Sequence, residues 1–204
     1  KEMDEKPDAN PPIVRGVVCH DLDSDGIRDG GEGGVQGAVL ELITNVSGAT
    51  IGYEITDANG GYGFGGVLPD EYRIKVGVHP HVSGLIENPR QIDQLMEETD
   101  SRYFNLAPDT AQVWMGGGDP VRVIEKYKRR IVYLHYKDIR AYHRGLPNYL
   151  DNVIELGRGV IDFPAIHRIL KSVGYQGWIT IDLDNARISP LESGKVNRAY
   201  IDQV

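Results

Sequence analysis

Five acidic side chains near the start of the sequence have the spacing of a calcium-binding loop. Residues 21–32 read D-L-D-S-D-G-I-R-D-G-G-E, with carboxylates at positions 1, 3, 5, 9 and 12 and Gly26 at position 6, where a sharp turn is needed. Calcium is a hard ion that takes roughly six to eight oxygen ligands. A solvated acidic turn is the alternative interpretation. The spacing predicts a calcium site formed by Asp21, Asp23, Asp25, Asp29 and Glu32, with the backbone carbonyl of Ile27.

A second group of polar residues follows strand-like segments in the second half of the chain. Asp109 comes just after one such segment, His135 lies near the end of the next, and Asp182 lies near the end of the last. The carboxyl ends of parallel strands are where α/β proteins build their sites, so we expect these side chains at one edge of a sheet. Two carboxylates and an imidazole suit a divalent ion such as Mn²⁺, Mg²⁺, Co²⁺ or Zn²⁺. Two helix-capping acids and a hydrogen-bonded histidine are the alternative.

Two different periodicities position these groups. Short segments rich in β-branched residues, separated by glycine-rich turns, run from 13–20 to 71–76 and indicate β-strands of an all-β sandwich. Beyond them, strand-like and helical segments alternate, and 162–173 carries apolar residues at helical spacing. That alternation favours a parallel sheet with crossover helices. We therefore predict three parts: a disordered tail (1–11), a calcium-binding β-sandwich (12–76) and an α/β segment (77–204).

Composition and charge exclude several classes of protein. The 204 residues are 40% hydrophobic and 25% charged, an ordinary globular composition, and no apolar run approaches the ~18 residues of a membrane span. Residues 1–77 hold 14 acids and 6 bases, so that the net charge of −8 resides there. A nucleic-acid-binding chain favours a basic stripe instead, so no nucleic-acid partner is expected. The single Cys19 excludes an internal disulfide.

The first half also resembles a known family. It contains G-V-V-C-H-D-L-D-S-D-G-I-R-D-G-G-E-G-G-V-Q-G-A-V-L-E-L and later T-D-A-N-G-G-Y-G-F-G-G-V-L-P-D-E-Y-R-I-K-V. These segments resemble the calcium-binding B-repeat modules of bacterial surface adhesins, which are immunoglobulin-like sandwiches related to collagen-adhesin B domains. The resemblance covers about 65 residues. It implies a stiff extracellular spacer in which calcium fixes the loop to the sandwich.

The second half resembles a different family. It contains H-P-H-V-S-G-L-I-E-N, A-P-D-T-A-Q-V-W-M-G-G-G-D-P-V, Y-L-H-Y-K-D, E-L-G-R-G-V-I-D-F-P-A-I and G-Y-Q-G-W-I-T-I-D-L-D. Together they are similar to the sugar phosphate isomerase/epimerase family, the xylose-isomerase-like TIM barrels, with inosose dehydratases as the nearest branch. The resemblance implies one divalent metal held by a Glu, an Asp, a His and a second Glu. The metal polarises the carbonyl and hydroxyl of the sugar while carboxylates move a proton.

Some of the family's functional residues are present in this sequence, and others are replaced. By this resemblance the metal ligands are Asp109, His135 and Asp182. Asp182 is also expected to be catalytic, although it is one methylene shorter than the usual Glu. No acid stands where the first family glutamate belongs. His79 or His81 is a candidate to substitute for it; the alternative is that both histidines face the substrate or support the metal ligands. Lys137 is expected to contact a substrate oxygen or to lie solvated in a loop, and Gln112 replaces a family histidine.

Taken together, these patterns predict a multi-domain chain with an all-β immunoglobulin-like sandwich followed by a partial α/β, TIM-barrel-like segment. Residues 77–204 are fewer than the roughly 200 of a complete barrel, so we expect impaired catalysis and association with copies of itself. The expected function is metal-dependent isomerisation or dehydration of a small sugar or polyol. The alternative is a non-enzymatic, calcium-stiffened surface module. The first part indicates an extracellular or cell-surface location, and the second a cytoplasmic one.

Overall fold

The structure is a computed structural model that describes residues 13–19, 28–45, 47–68, 71–140 and 149–204. The chain divides between Val76 and Gly77 into two units. Within the described residues, no helix combines the length and the apolar character that crossing a membrane requires.

The first unit consists of β-strands. The strands are β1 (Ile13–Val17), β2 (Val39–Thr44), β3 (Thr50–Ile55), β4 (Gly61–Gly65) and β5 (Tyr72–Val78). β1 pairs with β4 and β2 pairs with β3, both antiparallel. β2 is buried along its whole length, and its Leu40 and Leu42 form a small core with Phe64 and Val67. This core holds the first unit together.

The second unit alternates strands and helices. In chain order it contains α1 (Pro89–Glu98), β6 (Phe104–Leu106), α2 (Thr110–Met115), α3 (Pro120–Tyr127), β7 (Tyr133–Tyr136), β8 (Asp138–Ile139), a 3₁₀ turn (Tyr149–Asn152), β9 (Val153–Ile154), α4 (Phe163–Ser172), β10 (Trp178–Ile181) and α5 (Pro190–Ile201). Each helix begins where a short polar side chain caps its free amides. Asn88 forms a capping box with Gln91, and Asp109, Asp119 and Asp162 cap the next three helices.

Three parallel strand segments position the chemistry of the second unit. β7 and β10 pair in parallel, with His135 opposite Thr180. The chain around β6 lies parallel to β7 as well, because Leu106 bridges Ile131 and Asp109 bridges His135. Apolar residues of the helices pack below these strands, among them Phe163, whose ring lies 4.8 Å from that of Tyr136. The carboxyl ends of the three segments therefore meet at one edge.

The predicted fold class, an all-β immunoglobulin-like sandwich followed by a partial α/β segment, is wrong. The described chain is mixed α/β, with strands and helices alternating from β5 to α5. β5 runs unbroken through the boundary between the units, since Tyr72–Val78 is one strand without a linker. A sandwich needs two stacked sheets of about seven strands in total. Strand periodicity identified the strands, but it does not determine which sheet a strand joins.

Candidate metal centre

Four of the residues predicted from the sequence stand at the carboxyl ends of the parallel strands. Asp109 follows β6, His135 and Lys137 lie at the end of β7, and Asp182 follows β10. Backbone hydrogen bonds fix this alignment. The His135 amide donates to the Pro108 carbonyl at 3.0 Å, and the Asp182 amide donates to the Tyr136 carbonyl at 3.0 Å. The sheet register thus brings these side chains together.

His79, directly after β5, presents one ring nitrogen to the same place. Its Nδ1 lies 3.0 Å from the carbonyl oxygen of Ala107. A carbonyl only accepts, so Nδ1 carries the proton and Nε2 carries the lone pair that binds a metal. Burial and the neighbouring His135 lower the pKa of His79 to about 4, so the ring is neutral at neutral pH. The centroids of the His79 and His135 rings are 4.6 Å apart.

His135 is oriented in the same manner by a carboxylate. Its Nδ1 lies 3.2 Å from Asp182 Oδ2, which accepts the proton of this nitrogen. The opposite nitrogen, Nε2, is buried and has no hydrogen-bond partner. A histidine whose one N–H is held by a carboxylate or carbonyl offers its other nitrogen as a metal ligand. Both histidines therefore have Nε2 available.

Asp109 completes the trio. Its side chain is fully buried, and Oδ1 accepts the Gln112 amide as the cap of α2. Oδ2 is also buried, and it faces Lys137 Nζ at 3.1 Å and His135 Nδ1 at 4.0 Å. Ligand atoms of His79, Asp109 and His135 all lie within 4.8 Å of one another. Two imidazoles and one carboxylate are donors that suit a divalent cation. His135 Nε2 supports this assignment, because a buried polar atom without a hydrogen-bond partner is costly and a metal ion would compensate it.

Lys137 joins the carboxylates around this trio. Its Nζ lies 3.1 Å from Asp109 Oδ2, 2.7 Å from Asp182 Oδ2 and 2.9 Å from Asp184 Oδ2, and its side chain is 3% exposed. Burial by itself lowers the pKa of Lys137, but the carboxylates outweigh burial and raise it above its ordinary value. The ammonium group therefore remains charged at neutral pH. Lys137 is thus a buried charge of the site and not a solvated loop residue.

Asp182 lies beside the trio and is not part of it. Burial works to raise the pKa of Asp182, but hydrogen bonds from His135 and Lys137 hold it well below its usual range. Among the described residues, the group whose ligand atoms converge does not include Asp182. Its carboxylate orients the His135 ring and pairs with Lys137. Its assignments as a metal ligand and as a catalytic residue stay predictions.

Of the two histidines proposed for the missing glutamate, the structure brings His79 and not His81 into the trio. Nδ1 of His81 lies 2.8 Å from the carbonyl oxygen of Val82, and its ring lies 6.1 Å from that of His79. The next residue in this loop is held by Gln112, whose Oε1 accepts the Val82 amide at 3.2 Å. The residue that replaces the family histidine therefore supports the loop that follows His79.

Two acids of this region were not identified from the sequence. Asp184 belongs to D-L-D after β10, and the alternation of this motif indicates that Asp182 and Asp184 share one side of the chain. Asp138 follows Lys137 in Y-K-D, and its carboxylate accepts four backbone amides, those of Ile139, Gly157, Gly159 and Ile161. The Y-K-D motif alone does not indicate that the side chains of Lys137 and Asp138 have different partners.

Most of the predicted calcium loop lies outside the described residues. Asp21, Asp23, Asp25 and Ile27 belong to that part, whereas Asp29 and Glu32 are described. Glu32 is buried, and its Oε2 accepts the backbone amide of Asp29 at 3.0 Å. The calcium site stays a prediction.

Comparison with known families identifies the class of the protein. The family described as "Xylose isomerase-like TIM barrel" matches residues 64–201, and the chain belongs to this family. The family described as "SdrD B-like domain" matches residues 14–111. Both resemblances seen in the sequence are thus found, but the two matches overlap over residues 64–111. This overlap is a second finding against a separate sandwich.

Individual relatives are similar to about two thirds of the chain. "Inosose dehydratase" of Bacillus velezensis is 32% identical over 149 residues, which are 67% of this chain and 50% of the relative. "Inosose dehydratase" of Clostridium tetani is 34% identical over 151 residues, with 68% and 50% covered. The chain spans about half the length of the curated relatives it matches.

A solved structure shows the same fold. The crystal structure of the "IOLI protein with a binding zinc atom" is 16% identical to this chain, with a TM-score of 0.52. The likeness covers 63% of this chain and 48% of that protein. It supports a barrel-type α/β arrangement for most of the chain and, with the match over residues 64–201, corrects the predicted fold class.

Proposed function

We propose that the second unit binds one divalent metal ion and acts on a small polyol or keto-sugar, in a dehydration or isomerisation reaction. The observation that carries this proposal is the convergence of His79, Asp109 and His135 within 4.8 Å at the carboxyl ends of parallel strands. The relatives named inosose dehydratase support a keto-polyol of the inosose type as the substrate.

The donor atoms narrow the choice of metal. Two imidazoles and one carboxylate are ligands that suit Zn²⁺ or Co²⁺, whereas Mg²⁺ prefers oxygen ligands and retains several waters. Of Mn²⁺, Co²⁺, Mg²⁺ and Zn²⁺, we therefore propose that Zn²⁺ or Co²⁺ binds to this chain most tightly. The replacement of the family glutamate by His79 is the reason for this preference.

Two charged residues of the chain complement the proposed metal ion and the negative charge that develops on the substrate. A bound divalent ion would polarise a carbonyl or hydroxyl oxygen of the substrate. Asp182 stays ionised at neutral pH because its pKa is low, so it holds the His135 ring in one orientation. Lys137 supplies a fixed positive charge where negative charge develops on the substrate, a form of electrostatic stabilisation. We propose that Asp182 and Lys137 act in these two roles.

Metal analysis tests the proposal. The purified chain, loaded with Zn²⁺ and freed of excess metal, is expected to retain one ion per chain. His135→Ala and Asp109→Ala are expected to retain none, while His167→Ala on α4, away from the trio, is the matched control and should retain one. Absence of bound metal in the unaltered chain, or its retention in His135→Ala, would contradict the proposal.

Turnover is a separate question from metal binding. The chain corresponds to about half of each relative, and a closed, dry site needs the surrounding wall. The expectation of little or no turnover of inososes and ketoses by this chain alone therefore stays a prediction. An assay with added Zn²⁺ or Co²⁺ checks it, and a rate that disappears in His135→Ala would show the expectation to be wrong.

For the first unit, we propose calcium binding by the acidic loop, and with it the alternative role of a non-enzymatic, calcium-stiffened module. The support is the five-acid spacing together with the match of residues 14–111 to the SdrD B-like family. Calcium should raise the melting temperature by mass action. The double change Asp25→Ala with Glu32→Ala should abolish that rise, and a response equal to that of the unaltered chain would refute calcium binding by this loop.

A further inference from the structure

The buried ammonium group of Lys137 contacts the same oxygen that the proposed metal ion needs. Oδ1 of Asp109 accepts the Gln112 amide, so Oδ2 is the atom left for a metal ion beside His79 and His135, and Lys137 Nζ lies 3.1 Å from it. Lys137 is held in this position from the other side by Asp182 at 2.7 Å and by Asp184 at 2.9 Å. One oxygen of Asp109 thus faces two cations when a metal is bound.

The backbone of Lys137 is fixed beside the site. The hydroxyl of Thr110 donates to the Lys137 carbonyl at 2.7 Å and accepts the Lys137 amide at 3.0 Å, and both contacts are buried. Lys137 is itself only 2% exposed. A positive charge fixed this close to a divalent ion repels it strongly, even at an effective dielectric constant of about 20.

The surrounding carboxylates give Lys137 an alternative set of partners. Three acids, Asp109, Asp182 and Asp184, contact one ammonium group, while His79 is neutral. If a metal takes Asp109, the ammonium can keep Asp182 and Asp184, so the exchange does not leave a buried charge alone. The cluster is therefore arranged for two cations that share one carboxylate.

We propose that Lys137 is an internal cation that competes with the divalent metal for Asp109 and so limits the metal affinity of the site. This inference rests on the proposed metal centre and concerns its regulation. The proposal predicts an effect on metal affinity opposite to that of a lysine with a structural role only. Loss of a structural lysine would loosen the site and weaken metal binding, whereas loss of a competing cation strengthens it.

The test compares the affinity of Lys137→Met for Zn²⁺ with that of the unaltered chain, by competition with a chromophoric chelator. Methionine keeps most of the volume and removes the charge. The variant is expected to bind Zn²⁺ about tenfold more tightly or better. Lys126→Met, which removes a lysine paired with Asp93 at the surface, is the matched control and should leave the affinity unchanged. Equal or weaker binding by Lys137→Met would overturn the inference while leaving the metal centre in place.

A measurement on the unaltered chain covers the case in which Lys137→Met fails to fold. Acylation of lysines, read by mass spectrometry, should label Lys137 slowly without metal because the side chain is 3% exposed. Saturation with Zn²⁺ should increase its labelling severalfold relative to Lys126, because a metal ion on Asp109 removes one of the three carboxylate partners that hold the ammonium group in place. An unchanged or lower rate would overturn the inference. If the unaltered chain and Lys137→Met both bind no Zn²⁺, the proposed metal centre itself fails, and the inference fails with it.

Discussion

At the scale of single residues, the chemistry depends on which nitrogen of each histidine is free. The Ala107 carbonyl and the Asp182 carboxylate each hold an Nδ1, so both Nε2 atoms remain available. The sequence located Asp109 and His135 because Asp109 follows a strand and His135 lies near the end of the next one. It could not choose between His79 and His81, since the choice depends on a backbone carbonyl 28 residues away from His79 along the chain.

Thr110 is a residue whose role can be tested by an almost isosteric change. Thr110→Val removes the hydroxyl that pairs with both backbone groups of Lys137 and leaves them buried without partners. We expect the free energy of unfolding to fall by about 1–3 kcal/mol. Denaturant unfolding measures this loss. Thr110→Ser keeps the hydroxyl and should lose clearly less, and equal losses in the two variants would show that packing of the methyl group, not the hydroxyl, is responsible.

At the scale of elements, helix starts were predictable and sheet membership was not. Asn88 with Pro89 and Asp119 with Pro120 indicate helix N-termini through local chemistry, and the structure begins α1 and α3 there. The strand expected over 178–183 ends at Ile181, and Asp182 of the site follows it directly. The sequence ended a separate sandwich with a strand at 71–76, whereas β5 runs to Val78, because strand periodicity contains no information about the sheet to which a strand belongs.

The connection between β9 and α4 is organised by one buried acid. Asp138 accepts the amides of Gly157 and Gly159 through Oδ2, each at 2.9 Å, and those of Ile139 and Ile161 through Oδ1. Gly159 has no room for a side chain, since a Cβ there would lie 2.2 Å from Asp138 Oδ1. This network explains Gly159 of E-L-G-R-G, whereas Gly157 has a positive φ of 77° and lies against the Tyr200 ring.

The substitution Asp138→Asn tests this organisation. The amide replaces one acceptor oxygen by a donor, so two buried backbone amides face an N–H₂ group and lose their partner. We expect the free energy of unfolding to fall by about 2 kcal/mol or more, and the amides of Gly157 and Gly159 to exchange faster with solvent. Hydrogen exchange with mass spectrometry measures the second effect. The exposed Asp151→Asn is the control, and an equal response of both variants would contradict the assigned role.

At the scale of the whole molecule, the exposed strand β10 predicts self-association. Among the described strands, β10 pairs with β7 alone, and Trp178 and Ile181 are 66% and 37% exposed. An exposed apolar edge strand is a template for pairing with another chain. Trp178→Lys should therefore shift the mass measured by light scattering towards the monomer. Leu85→Lys, at another exposed apolar residue, is the control, and a monomeric unaltered chain would contradict the prediction.

X-ray absorption of the Zn²⁺-loaded chain tests the central claim, the metal centre of His79, Asp109 and His135, most directly. The spectrum should show nitrogen and oxygen ligands at about 2.0–2.1 Å with the ring scattering of two imidazoles. Replacement of His79 by Gln should reduce this scattering to one imidazole. A spectrum without imidazole scattering, or one that His79→Gln and His135→Gln leave unchanged, would contradict the assignment.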